Sequence, residues 1–303
     1  MSVVLQIIAN FGHQFLGQTS DNAEASLIQL VARGKKQGYA VGDLVNVTLT
    51  SDNQGAIESI VPRTNLFYRS EFNKQKNLAA NIDQVAIVCA TEPAFSEELL
   101  GRALICAQVT DIKAIILLNK VDVADKVDAA RATLSLYPTL GYDVYELSAH
   151  KSESVSKLTS LLAGKSTLLM GQSGMGKSSL INALIPDANI KTREISSVLN
   201  SGKHTTTFSR LYHCTFDGQS STIIDSPGFE NFGMAQFSVS QIQHAMLEFV
   251  PYFGQCKFHN CSHRHEPQCA VLNAMNEGHI HPTRHAFYER LLEQLDYYDR
   301  AAY

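Results

Sequence analysis

The sequence predicts a mixed α/β fold in three parts: an N-terminal OB-like β-barrel, a central α/β domain with a parallel sheet, and a C-terminal helical module built around a Cys/His cluster. Three observations predict it. Up to residue 65, short apolar stretches are punctuated by glycines. From about residue 81, continuous apolar runs alternate with helix-period stretches. Between residues 256 and 269, three cysteines and a histidine crowd together. The boundaries follow these changes of pattern, at 1–68, 69–233 and 234–303.

In the first part, Val3–Ile8, Ser26–Val31, Leu44–Leu49 and Ala56–Ile60 read as strands. Gly12, Gly17, Gly34, Gly38, Gly42 and Gly55 separate them, and many short strands with glycine turns suggest a small barrel. The basic run Arg33-Gly34-Lys35-Lys36 is either a solvated turn or a phosphate-contacting loop of a nucleic-acid-binding barrel.

In the central part, Gln84–Ala90, Ala114–Leu118, Val144–Leu147 and Ser166–Met170 read as buried strands. The stretches Ser96–Thr110, Val127–Tyr137 (stopped by Pro138), Val155–Leu162 and Lys177–Leu184 read as the helices between them. Buried strands alternating with helices imply a parallel sheet. Toward the C-terminus, Met234–Phe249 and Arg284–Arg300 read as helices. Phe287, Leu291, Leu295 and Tyr298 form a packing stripe on the last of them.

Composition narrows the function. The 303 residues are 45% hydrophobic and 18% charged, typical of a globular protein. There is no apolar run near membrane-spanning length, and MSVVLQIIANFGHQF reads as a strand, not an export signal. A net charge of −4 argues against non-specific coating of nucleic acid. Cys89, Cys106 and Cys214 lie singly in apolar runs, as buried thiols do, so the six cysteines suggest a reducing compartment, the cytoplasm, rather than disulfides. Seven of the eleven histidines fall between His244 and His285.

Five short motifs carry nucleotide chemistry. Gly171-Gln172-Ser173-Gly174-Met175-Gly176-Lys177-Ser178, followed by Ser179, joins the strand Thr167–Met170 to a helix. Its glycines let successive N–H groups face phosphate oxygens at a helix N-terminus. Lys177 would reach the β- and γ-phosphates as a catalytic group, and the Ser178 hydroxyl would ligate Mg²⁺. Asn119-Lys120-Val121-Asp122 chooses the base. The Asp122 carboxylate accepts from guanine N1–H and N2–H₂, a donor pair adenine lacks. Asn119 reaches N7 and the loop, and the Lys120 stem covers the base face. After the next strand, Ser148-Ala149 presents the Ala149 N–H to guanine O6. Asp225-Ser226-Pro227-Gly228 supplies a second Mg²⁺ contact through Asp225 and a γ-phosphate contact through the Gly228 N–H. One of Thr205, Thr206 and Thr207 should complete the Mg²⁺ shell, with Thr206 preferred. Phe229 stands where Ras-like enzymes place a water-orienting Gln, which leaves His204 as the candidate general base or water-orienting group. Arg193 and Arg210 flank this region and read as structural. The base motif precedes the phosphate loop, the reverse of the Ras-like order, so the central part reads as a circularly permuted P-loop GTPase domain that hydrolyses GTP to GDP and phosphate.

The spacing Cys256-x₄-Cys261-x-His263-x₅-Cys269 offers a closed Cys₃His shell suited to one structural zinc ion. His259 and His265 are alternative ligands. Lys257, Phe258, Arg264 and His265 around the cluster suit RNA contact or a plain surface.

Taken together, the chain resembles the bacterial ribosome small-subunit-dependent GTPase A (RsgA) family. The resemblance rests on Arg33-Gly34-Lys35 and Val41-Gly42-Asp43 in the barrel and on the permuted order NKVD, SA, GQSGMGKSS, GKHTTT, DSPGF. It extends to the Cys/His knuckle and the terminal helix. It implies a monomeric, cytoplasmic factor in late 30S maturation that binds 16S rRNA and whose hydrolysis is stimulated by the subunit. It also implies that His204, in Gly202–Thr207, is a proposed catalytic residue.

Overall fold

Alternation of apolar and polar residues closes the first strands into a ring. The computed structural model describes residues 2–12, 14–19, 26–33, 38–71, 74–188, 208–228 and 230–301. β1 (Ser2–Asn10), β2 (Gln14–Gln18), β3 (Ile28–Ala32), β4 (Leu44–Ser51) and β5 (Gln54–Ile60) pair in the order β1-β2-β3-β5-β4, and β4 returns to β1. The β3–β5 pair is parallel and the other pairs are antiparallel. Closure leaves no free sheet edge. Leu5, Ile7, Phe15, Leu30, Tyr39, Val45, Val47 and Ile57 fill the interior. Four of these strands match the expected ones. β2 was not anticipated, because a five-residue strand with Gln at both ends offers little alternation.

The turn around Val41-Gly42-Asp43 is fixed by a buried carboxylate paired with the partly exposed Arg63. Asp43 is fully buried and accepts from the Ala40 N–H and from the Arg63 Nε and Nη2. Removing the Arg63 charge alone would leave Asp43 buried and unpaired by charge, at a cost of about 3–5 kcal/mol.

β6 (Leu66–Glu71) and β7 (Lys74–Ala80) form a separate two-stranded sheet. The central sheet then runs β10 (Asp143–Glu146), β9 (Lys113–Asn119), β8 (Gln84–Ala90), β11 (Ser166–Met170), β13 (Gln219–Asp225), β12 (Arg210–Phe216). Its neighbours are parallel except β12 and β13. All seven residues of β8 are buried, which explains the unbroken apolar run Val85–Ala90 after Gln84, whose amide donates to the Thr167 hydroxyl. The helices α4 (Ser152–Leu162) and α5 (Lys177–Leu184) bury Leu158, Leu162, Leu180, Ile181 and Leu184 against Ala86, Val88, Leu169 and Ile223. The barrel is continuous with this sheet through Ala9 of β1, opposite Arg210 of β12. β12 was missed because its outer half, His213-Cys214-Thr215, is only partly buried and weakly patterned.

One helix differs from expectation near Pro138. α2 spans Ala124–Leu134, and a separate short helix α3 (Leu136–Thr139) contains Pro138 instead of stopping before it. In the first turn of a helix, the missing proline N–H breaks no intrahelical bond.

The chain separates into two compact units. One comprises Met1–Tyr68, Lys76–Ser96 and Ile112–Glu230, and so contains the barrel and the central sheet. The other comprises Arg69–Gln75, Glu97–Asp111 and Asn231–Tyr303. This second unit holds α1 (Glu97–Val109), α6 (Val239–Ala245), α7 (Ala270–Asn276) and α8 (Pro282–Ala301). Within it, the Phe287 ring of α8 packs directly on Gly101 of α1. Glu98 of α1 accepts from Arg290, and Arg102 donates to Gln294. Phe287, Leu291 and Leu295 are buried and Tyr298 is half-buried, so the stripe is packing.

The expected helix Met234–Phe249 is much shorter than predicted. Met234 pairs with Ser70 in a bridge, and the Ser238/Gln241 capping box starts α6 only at Val239. A short 3₁₀ turn, Val250–Tyr252, follows instead of more α-helix. Among the described residues, no helix is long and apolar enough to cross a membrane.

Candidate nucleotide and metal sites

Because β8, β9, β10, β11 and β13 run parallel, their C-terminal ends share one edge of the sheet, where ligands of open α/β sheets gather. Asn119 ends β9, Gly171 follows β11, Asp225 ends β13, and Ser148 follows β10 by one residue after Leu147. Pairing therefore assembles the motifs, whatever their order along the chain. A cleft of about 400 Å³ lies there, lined by Lys120, Ser173, Gly174, Gly176, Lys177, Ser178, Ser179 and Asp225–Gly228.

The phosphate loop wraps the Lys177 ammonium, which donates to the carbonyls of Gly171 (2.6 Å) and Gln172 (2.9 Å). Burial lowers the Lys177 pKa, opposed by the Asp225 charge. Gly176 has φ +90°, and a Cβ there would strike the Asn119 amide, so only glycine fits. A Cβ on Gly228 would come within 3.0 Å of the Ser173 N, which shows how closely the Asp225–Gly228 turn approaches the phosphate loop. Ser226 anchors that turn by donating from its N–H and its hydroxyl to the Leu169 carbonyl.

Asp225 is buried, and burial pushes its carboxyl up to about 6 while Lys177 and Arg210 pull it down. A buried carboxyl and the Ser178 hydroxyl line the same cleft, a set of oxygen donors that fits a hard divalent cation. Arg210 is also buried, with its guanidinium 5.0 Å from the Phe208 ring centroid. It acts electrostatically on Asp225, a relationship no motif in the sequence announces.

The Asn119–Asp122 segment is tied to the same loop. The buried Asn119 donates from Nδ2 to the Met175 carbonyl (3.0 Å), and its Oδ1 is buried without a hydrogen-bond partner. Lys120 stretches across the cleft, and its Nζ donates to Gly174 O and to Glu92 O, both at 2.7 Å. The Ser148 hydroxyl donates to Asp122 and holds its carboxyl below the ordinary range; burial opposes this. Ser148 in turn accepts from the His150 N–H, and Val121 donates to Leu147 O. Ala149 packs against the central core. Met175 is buried beneath the loop, and the Gln172 side chain accepts from the Ser96 N–H, so these two support the loop from behind. Thr91 and Glu92, which belong to none of the motifs, lie against Lys120.

His204, Thr205, Thr206, Thr207, Arg193 and Phe229 lie outside the described residues, as do Gly34, Lys35 and Lys36. Arg33 is described and pairs with Glu58 at 2.8 Å on the surface.

In the second unit, Cys256, Cys261, His263 and Cys269 bring their donor atoms within 4.8 Å of one another. His263 Nδ1 lies 3.6 Å from Cys256 Sγ and 3.4 Å from Cys269 Sγ. Spacings of this size are the edges of a tetrahedron around a metal ion with thiolate and imidazole ligands. The Ala270 N–H donates to Cys256 Sγ, His285 Nε2 meets the His263 carbonyl, and the Phe253 ring stacks on His263. The cluster is thus held from behind, as metal ligands are. His259 and His265 are exposed and outside it.

Comparison with known proteins follows the same lines. A family profile described as RsgA GTPase matches residues 60–235. The chain is 49% identical over 291 residues to the small ribosomal subunit biogenesis GTPase RsgA of Burkholderia pseudomallei (strain K96243), covering 95% of this chain and 91% of the relative. YjeQ from Thermotoga maritima superposes with a TM-score of 0.71 at 26% identity, over 97% of this chain and 99% of that one. YloQ, described as a circularly permuted GTPase, superposes with a TM-score of 0.68 at 27% identity, over 99% and 96% of the two chains.

Proposed function

The chain belongs to the RsgA GTPase family, and on that premise we propose a GTP-hydrolysing factor that acts in late maturation of the 30S ribosomal subunit. The observation that carries the proposal is one cleft in which Lys120, Lys177, Asp225 and Gly228 meet although their motifs are permuted along the chain. Asn119, Asp122, Ser148 and Ala149 recognise guanine, with Lys120 over the base and Val121 as the backbone link. The N–H groups of Gly171–Ser179 cradle the phosphates. Ser178, Thr206 and Asp225 would hold Mg²⁺, which would neutralise phosphate charge.

Lys177 leaves the loop carbonyls it now touches and meets the charge that grows on the β–γ bridging and γ-oxygens in the transition state. His204 orients the attacking water or takes its proton, a task Phe229 has no group to perform. The Gly228 N–H senses the γ-phosphate. Its release frees the turn that leads in sequence to Asn231 and the C-terminal unit.

The functional division follows the sequence. Residues 1–68 form the RNA-binding barrel, 69–233 the permuted GTPase and 234–303 a module folded around one zinc ion. That ion is held by Cys256, Cys261, His263 and Cys269. The protein works as a cytoplasmic monomer whose partners are GTP, GDP and the 16S rRNA of the small subunit. The test is phosphate release with and without purified 30S subunits. Stimulation of roughly 10²-fold or more is expected, toward the range that external activators reach. Equal rates would remove the ribosomal partner and leave the hydrolase.

A further inference from the structure

Outside the nucleotide motifs, the turn after β8 does work on the base site. Thr91 follows the last residue of β8 and is 5% exposed. Its N–H donates to the Asn119 carbonyl (3.3 Å), and its Oγ1 donates to the Lys120 carbonyl (3.0 Å). The next residue, Glu92, accepts the Lys120 ammonium on its carbonyl (2.7 Å) and pairs through its carboxylate with Lys126 (2.7 Å). Lys120 has φ +65°, a left-handed conformation that a lysine adopts only when its surroundings hold it there. Asp122 lies between Lys120 and Lys126 in the chain, and both ends of that short stretch are fastened to Thr91-Glu92.

We propose that Thr91 is a positioning residue for guanine recognition: its hydroxyl holds the Lys120 peptide in the left-handed turn that aims Asp122 at the base and keeps the Lys120 stem across the cleft. The inference rests on the guanine-site reading above and deepens it. Without the hydroxyl, the Lys120 carbonyl keeps the Val123 N–H (3.0 Å) from its own turn but loses its tie to the turn after β8, and the backbone there relaxes toward ordinary values. Asp122 then no longer meets N1–H and N2–H₂ together. The loss falls on ground-state binding of the base and not on the phosphate chemistry.

The experiment titrates a fluorescent N-methylanthraniloyl-GDP with the full-length protein and its Thr91→Val, Thr91→Ala and Thr91→Ser variants. Removing the hydroxyl should weaken binding about fivefold in both Val and Ala, as expected for the loss of one net hydrogen bond of about 1 kcal/mol from a carbonyl that keeps the Val123 N–H. Ser should bind within about twofold of wild type, since it restores the same donor. In hydrolysis, KM should rise with kcat nearly unchanged, and the preference for GDP over inosine diphosphate, which lacks the 2-amino group, should narrow. Binding by Thr91→Val within about twofold of wild type would overturn the proposal, as would Ser binding as weakly as Val. So would Val and Ala differing from each other more than either differs from wild type, because packing would then be the cause. Asp122→Asn serves as the control. If it fails to shift preference from guanosine toward xanthosine diphosphate, the base-site reading itself falls. If it shifts preference while Thr91→Val is silent, only the Thr91 inference falls.

Discussion

The nucleotide cleft draws its side chains from segments scattered between Asn119 and Gly228, whereas the cysteine cluster draws all four donors from residues 256–269. The first is positioned by a sheet core in which Ala86, Val88, Leu169 and Ile223 are buried. The second sits among short helices, α6 and α7 of seven residues each, next to a 3₁₀ turn. The loop from Cys256 to Cys269 carries no helix or strand of its own, and the proposal makes its order depend on a metal. A site on a scaffold should therefore lose function in steps while the fold survives. A site that is its own scaffold should lose both at once.

The largest expected effect tests the second half of that contrast. Zinc content should be one ion per chain, and Cys269→Ala or chelation should remove it. Structural zinc contributes apparent folding energies of about 10–16 kcal/mol in small fingers, so amide exchange across 256–276 should rise to nearly unprotected rates. GDP affinity should be retained. Full protection after metal removal would show that the cluster is not a scaffold.

Next is Lys177→Ala. Loss of a charge aimed at the transferring phosphoryl group should cut kcat by about 10²–10³, while circular dichroism and melting show a folded protein. A variant that unfolded would break the contrast, because the cleft would then be part of the core.

A smaller effect is expected from Asn119→Ala, which removes the tie to the Met175 carbonyl. Leaving that acceptor unpaired should cost about 1–3 kcal/mol of stability, read as a shift in denaturant midpoint, in addition to weakened nucleotide binding. No shift would mean that the base segment and the phosphate loop are not mechanically joined through this bond.

The mildest is a pH effect in nucleotide-free protein. Asp225 is pushed up to about 6 from 3.8, so between those values the folded state holds a proton that the unfolded chain has released. Stability from this group therefore rises as pH falls from about 6 toward 3.8, and fades as pH rises through 6. Asp225→Asn should flatten that slope in thermal melts. An unchanged slope would place its origin elsewhere.

Much of this contrast was legible in the sequence, for physical reasons that differ by element. The strand Gln84–Ala90 was readable because burial on both faces demands an apolar run, here Val85–Ala90. The helix Lys177–Leu184 was readable because a glycine-rich loop fixes its start. The Cys₃His set was readable because its spacing is local. What escaped depends on contacts between distant segments. Met234 is extended because of its bridge to Ser70, a partner more than a hundred and fifty residues away, which no local pattern records. Gln172 holding the Ser96 N–H and Thr91 holding the Lys120 turn escaped for the same reason. A polar Thr placed directly after seven buried residues, at the end of a parallel strand, was the one sequence signal that could have raised Thr91. The pairing of α1 with α8, through Glu98 and Arg290, was likewise invisible from the α/β alternation that places α1 in the central part.

The central claim is that permuted motifs converge on one guanine-selective site, and competition at equilibrium tests it most directly. N-methylanthraniloyl-GDP bound to the wild-type protein should be displaced by GDP and GTP at similar concentrations, and by ADP and ATP only at a large excess, about a thousandfold. Asp122→Asn should abolish that preference and favour xanthosine diphosphate, whose 2-oxygen accepts from the new amide. Displacement by adenosine and guanosine nucleotides at equal concentrations, or an Asp122→Asn variant with the wild-type ranking, would contradict the account.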